Sequence, residues 1–253
     1  MTTVTTTTTG RMGTTIATTD ACQADAAQLY RLLAWLSPAF PTGGFSYSHG
    51  LEYAVEAGLV RDRATALVWI DGVLRQGTGR LDAGLFALAW RAVDAGDDAA
   101  LFQVAELAAA LRGTSELKLE SAQQGKSFLL AAETGWPSDR IAGLVAALAA
   151  AEIEASLPVS VAMAAAAHGL ALEPALAAYL QGFAANLVSA AVRLVPLGQS
   201  DGLRLVAALE TATRTAVSCG LATASRDELG AASPMIDWCS MRHETQYTRL
   251  FRS

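Results

Sequence analysis

Ser37–Glu52 reads SPAFPTGGFSYSHGLE and interrupts a chain otherwise rich in alanine and leucine. Pro38 and Pro41 each fix φ and lack a backbone donor, so no helix runs through them. Gly43 and Gly44 can take φ > 0 and admit close approach of another backbone or a partner. Phe45, Tyr47 and Tyr53 add large anchoring surfaces around Ser46 and His49. Two readings stand. An ordinary helix–helix connection needs the glycines and nothing more. A partner-facing surface uses the aromatic and Ser/His dressing as well.

On either side of this break the pattern is helical. Leu29, Leu32, Leu33 and Leu36 recur at i, i+3, i+4, i+7 and mark one apolar helix face. A short helix is expected over His49–Ala57. Asp62 caps the next, with Leu67, Ile70 and Leu74 on one face, until Gly77 and Gly79 break it. A helix carrying Leu85 and Leu88 ends near Gly96. Asp97 and Asp98 sit where free N–H groups and the positive dipole end favour carboxylates, and that helix runs to Gly113 as its C′ residue. Thr114 or Ser115 starts a helix to about Thr134, Ser138 one through Ala151, and Pro158 one ending at His168-Gly169. Glu173-Pro174 opens a long helix, with proline at its favoured first turn, that stops at Val195-Pro196. One further helix spans Ser200 to Gly220, and Ser233-Pro234 starts the last element. No β-branched alternation and no Asn-Gly hairpin turn appears. The pattern predicts an all-α, single-domain bundle of about ten helices with short connections.

Composition narrows the function. The chain has 253 residues, is 52% hydrophobic and only 17% charged, and carries a net charge of −6. An acidic balance lacks the basic footprint of a nucleic-acid binder. Cys22, Cys219 and Cys239 are scattered and odd in number, so a reducing, cytoplasmic setting is expected. Eleven of the first nineteen residues are threonine. Residues 1–28 lack the apolar core of a signal peptide and are expected to be a disordered tail. Ala155–Leu172 and Pro174–Val192 are uncharged over membrane-like lengths, but both are weakly apolar and read as buried helices.

The catalytic motifs are near misses. Ser46 in Gly44-Phe45-Ser46-Tyr47-Ser48 lacks the second glycine of a nucleophile elbow. Gly125-Lys126-Ser127 lacks the leading glycine of a phosphate loop, because Glu120 stands there. His243-Glu244 is followed by Tyr247, not by the second histidine of a zinc helix. His49, His168 and His243 are isolated in sequence, and His168 reads as a core or interface residue. The sequence therefore points to no catalytic or metal-ligating residue.

Two features remain. Glu120, Gln123, Gln124 and Ser127 share one helix face. A solvated face explains them; an interaction surface or a polar interior passage is the alternative. The segment Ser240–Ser253, SMRHETQYTRLFRS, sets Tyr247, Leu250 and Phe251 at i, i+3, i+4 among Arg242, Arg249 and Arg252. That is the composition of an interface hot spot, or of a last helix docking on its own core.

His243–Ser253, taken with Ser37–Glu52, Glu116–Ser127 and Val195-Pro196-Leu197-Gly198-Gln199, resembles the urease accessory protein UreF family over roughly residues 29–253. The resemblance implies a non-catalytic accessory protein with a domain over 29–239 and a partner-binding tail over 240–253. It implies a UreD-like (UreH) subunit, a UreG-like GTPase and apo-urease as partners, and a homodimer within the complex. It also implies regulation of GTP hydrolysis and nickel handled by the complex, with no cofactor bound tightly. Carried over residue by residue, the tail contacts would be Arg242, His243, Glu244, Gln246, Tyr247, Arg249, Leu250, Phe251 and Arg252, ordering as they bind. Gly43, Gly44, Phe45, Ser46 and Tyr47 would form a partner-facing surface, with Gln124 and Lys126 as weaker candidates. Thr42 and His49 depart from the valine and glutamine the family pattern implies.

Overall fold

The computed structural model describes residues 17–253, with side chains from Ala26 onward. Most of the Thr-rich segment lies outside the described residues. Helix α1 (Ala17–Trp35) begins before the expected start at Leu29. The alanines and glutamines that precede Leu29 are strong helix formers and extend it. The 3-10 turn Gly44–Ser46 and the short α2 (Leu51–Glu56) follow. Then come α3 (Arg63–Arg75), α4 (Thr78–Asp94), α5 (Asp98–Ala110), α6 (Ser115–Gly135), α7 (Asp139–Ala150) and α8 (Leu157–Ala167). The chain continues through α9 (Leu172–Leu194), α10 (Gln199–Ala208), α11 (Glu210–Ala222) and α12 (Pro234–His243). The described residues form an all-α bundle.

The expected start signals are the ones used. The Asp62 side chain accepts the Thr65 N–H in a full capping box. Asp97, Thr114 and Ser138 cap α5, α6 and α7 in the same manner. Other signals had different meanings. Gly79 lies inside α4, where a Cβ would come 2.7 Å from Leu74 Cα; it is a contact point, not a break. Gly113 is not a C′ residue, since α5 ends at Ala110 and a Cβ on Gly113 would meet Asp237. The helix expected over Ser200–Gly220 bends at buried Leu209 into α10 and α11. The bend keeps Leu205, Leu209 and Ala212 in one apolar cluster and carries Ala216 and Val217 into another.

Those two clusters are the core. One gathers α4 through α8; the other gathers α2, α3, α10 and α12. Helix α9 joins them, giving Leu176, Tyr179 and Leu180 to the first and Leu187, Val188 and Ala191 to the second. Among the described residues, α9 alone is long and apolar enough to cross a membrane, and it runs through both clusters. Small residues set the spacing: a Cβ on Gly125 would lie 2.3 Å from the Ala155 carbonyl of the α7–α8 connection. Helix α1 is the loosest part. Leu32 and Trp35 are buried, whereas Leu29 and Leu33 of the same predicted face are exposed, because α1 packs mainly on α9.

Candidate functional site

The Ser37–Glu52 stretch is fixed residue by residue. Gly43 is left-handed (φ 76°), and so are His49 (φ 59°) and Gly50 (φ 76°) in succession. Gly50 has a second constraint, since a Cβ there would stand 3.0 Å from the Ser240 backbone nitrogen of α12. Asn186 of α9 donates to the Gly44 carbonyl at 3.0 Å, and Arg193 to the Phe45 carbonyl at 2.8 Å. Tyr47 donates its hydroxyl to Gln123 at 2.6 Å. Phe45 is left pointing outward, 69% exposed.

Beneath the loop lies a cavity of about 280 Å³, bounded among others by His49, Asp82, Arg112, Glu120, Gln124 and Asn186. One wall is ionic. Arg112 Nη2 lies 2.7 Å from Asp82 Oδ1, and Tyr179 donates its hydroxyl to Asp82 Oδ2 at 2.6 Å. Burial, and then the Asp82 charge, push the Tyr179 hydroxyl well above its ordinary range, so it stays a donor. On the other wall His49 Nε2 meets Thr78 Oγ1 at 2.8 Å, and His49 Nδ1 lies 3.5 Å from Glu120 Oε2. Burial alone would raise the Glu120 carboxyl. His49, the Ser253 hydroxyl and Arg112 outweigh it and hold the group below its usual value.

The tail folds back over this region. Arg252 N–H donates to the Ser46 carbonyl at 2.8 Å, and Ser48 N–H to the Ser253 carbonyl at 2.7 Å. The Ser253 hydroxyl donates to Glu120 at 2.6 Å. Glu52 of α2 accepts the backbone N–H groups of Leu250 and Phe251. Phe251 is buried under the Arg193 guanidinium, 4.3 Å from the ring centroid.

Several expected site residues therefore change role. Tyr247, Leu250 and Phe251 do not share a helix face, because α12 ends at His243 and the chain beyond is irregular. Tyr247 and Leu250 point outward, while Phe251 points in. Tyr47, Gln124 and His243 are buried as well, each occupied by partners within the chain, so none offers a free contact face. Glu120 and Gln124 are not a solvated face; both are buried cavity wall, with Gln124 donating to Glu120 at 3.2 Å. Gly43, Gly44, Ser46 and Gln246 are half-buried. Phe45, Lys126, Arg242, Glu244, Tyr247, Arg249, Leu250 and Arg252 are exposed.

Glu52, Asp82, Arg112, Glu116, Tyr179 and Arg193 were missed by sequence reasoning. Asp82 left a signal. It falls in register with Leu85, Phe86 and Ala89, so the helical pattern alone puts a carboxylate on a core face. Glu52 and Glu116 left none, since their partners lie far along the chain. Among the described residues no group of three or more His, Cys, Asp or Glu side chains is placed to hold a metal ion. Burial pushes the Cys239 thiol up to about 11, which keeps it in the unreactive neutral form.

The fold and site define an all-α protein whose polar side chains brace an irregular loop and tail from within and leave aromatic and arginine side chains on the outside. The family model described as UreF matches residues 60–210. Among curated relatives, the urease accessory protein UreF of Bradyrhizobium diazoefficiens is 46% identical over 92% of this chain and 95% of its own length. That of Methylorubrum populi is 50% identical over 88% of this chain and 98% of its own, and that of Xanthobacter autotrophicus 49% over 96% and 99%. The chain belongs to the urease accessory protein UreF family.

Proposed function

We propose that this chain is a non-catalytic scaffold in urease maturation that joins a UreD-like (UreH) subunit and a UreG-like GTPase on apo-urease. In this reading it works as a homodimer in the cytoplasm, regulates GTP hydrolysis and helps nickel reach the urease site, with the metal as cargo. The observation that carries it is the pairing of family membership with a tail whose inside is anchored and whose outside presents Tyr247, Leu250, Arg242 and Arg252. A backbone anchored before binding loses little freedom on association, and exposed side chains of these types supply contact area. The exposed Phe45 beside the tail extends the same surface. The cavity under the loop supports the routing part only as a passage, since its wall is largely apolar and its Asp82, Glu120 and His49 side chains are already paired within the chain.

The test is co-purification of UreD-like and UreG-like partners with the full chain and with a chain lacking residues 240–253, alongside the nickel content of the matured urease. Loss of the UreD-like partner and of nickel on truncation is the expected result. Unchanged capture would refute the tail's role.

A further inference from the structure

His243 was expected to touch a partner, yet it has no solvent exposure, and both of its ring nitrogens face carboxylates. Nδ1 lies 2.8 Å from Glu116 Oε2 on α6, and Nε2 lies 3.1 Å from Glu52 Oε2 on α2. Each carboxylate has a second task on the tail. Glu52 accepts the Leu250 N–H at 2.6 Å and the Phe251 N–H at 2.9 Å; Glu116 accepts from Arg249 Nη1 at 2.6 Å. A carboxylate engaged by several N–H donors is held as a pure acceptor, and an imidazole between two such acceptors satisfies both only by donating from both nitrogens.

We infer that His243 is a positioning residue: its ring, donating from both nitrogens, ties Glu52 to Glu116 and so aims the two carboxylates that hold residues 249–251. The geometry suits imidazole. Its two donors point in diverging directions from one rigid ring, which lets a single side chain bridge two helices. Arg249 is the third charged group at the bridge, acting through Glu116. The charged neighbours on the histidine's own stretch are committed elsewhere, since Arg242 lies over Tyr53 and Glu244 accepts from Ser115. Beyond Phe251 the docked segment continues to Ser46, Ser48 and Glu120. The inference rests on the proposed function only for its consequence, that the segment so aimed presents Tyr247 and Leu250 to a partner.

Two measurements on the full chain test it. With ¹⁵N-labelled histidine, both His243 ring nitrogens of the folded chain carry a hydrogen-bonded proton; a ring with a proton on only one overturns the proposal. In hydrogen exchange read by mass spectrometry, amides of residues 250–252 exchange at least about tenfold more slowly than in the free peptide. That protection is lost in both His243→Gln and Glu116→Gln. Protection retained in both variants overturns the proposal. Capture of the UreD-like subunit is measured on the same samples. Lost protection with unchanged capture supports the positioning role and refutes the tail as the partner surface, so the two readings fail separately.

Discussion

Two buried ionic clusters of similar make-up do different work. Asp82, Arg112 and Tyr179 come from α4, the α5–α6 connection and α9, all within the tightly packed bundle. Glu52, His243 and Glu116 join three helices, but their remaining hydrogen bonds go to an irregular segment with exposed neighbours. If the first cluster loses a member, the charge left behind stays inside the bundle, facing only the cavity, with no segment that can lift away to expose it. If the second does, the tail can lift and let water in. The same chemistry therefore braces the fold in one place and sets a movable surface in the other.

The largest effect is expected at Arg112→Met, which leaves the Asp82 carboxylate buried with Tyr179 alone. Loss of one partner from a buried pair costs about 3–5 kcal/mol, and denaturant unfolding of the whole chain should show it. A melt that softens only the tail would erase the contrast between the clusters. Gly50→Ala comes next. It puts a Cβ at a left-handed position against the Ser240 nitrogen, a strain of about 1–3 kcal/mol that should weaken the α2–α12 contact and speed tail exchange. Thr114→Ala removes the cap of α6 and its 2.7 Å bond to Ser240. A loss of about 1 kcal/mol is expected in the denaturation midpoint.

Glu120 stands between the clusters and gives the smallest expected effect, a change in how stability depends on pH. Its carboxyl is held below the ordinary value of 4.5 in the folded chain. A depressed folded value adds stability that is present above the unfolded value and is lost as pH falls through the folded one. Acid unfolding below about pH 4.5 should therefore be shallower in Glu120→Gln. An unchanged acid limb would show that Glu120 contributes no such linkage.

Much of the fold was legible because helix periodicity and caps are local. Asp62, Thr114, Ser138, Pro158 and Pro234 could each be placed from neighbours within one turn. What local pattern cannot carry is which faces meet. Glu120 and Gln124 looked solvated because polar residues at helical spacing usually are; α6 turns them toward the cavity instead. The pairing of Glu52 with Leu250 and Phe251 spans nearly the whole chain, and no spacing rule reaches that far. The tail's stripe was read with helical period across residues that follow the end of α12, so its three anchors were put on one face when they divide between inside and outside.

That division is the centre of the account, and one variant addresses it. Tyr247→Ala combined with Leu250→Ala removes two side chains that touch little within the chain, so stability should stay within about 0.5 kcal/mol. Capture of a UreD-like subunit by the purified variant is then the decisive reading. Lost capture from a chain that melts normally and keeps its tail amides protected is the result expected. Full capture by that variant would contradict the claim that the outward half of the tail is what this protein offers its partners.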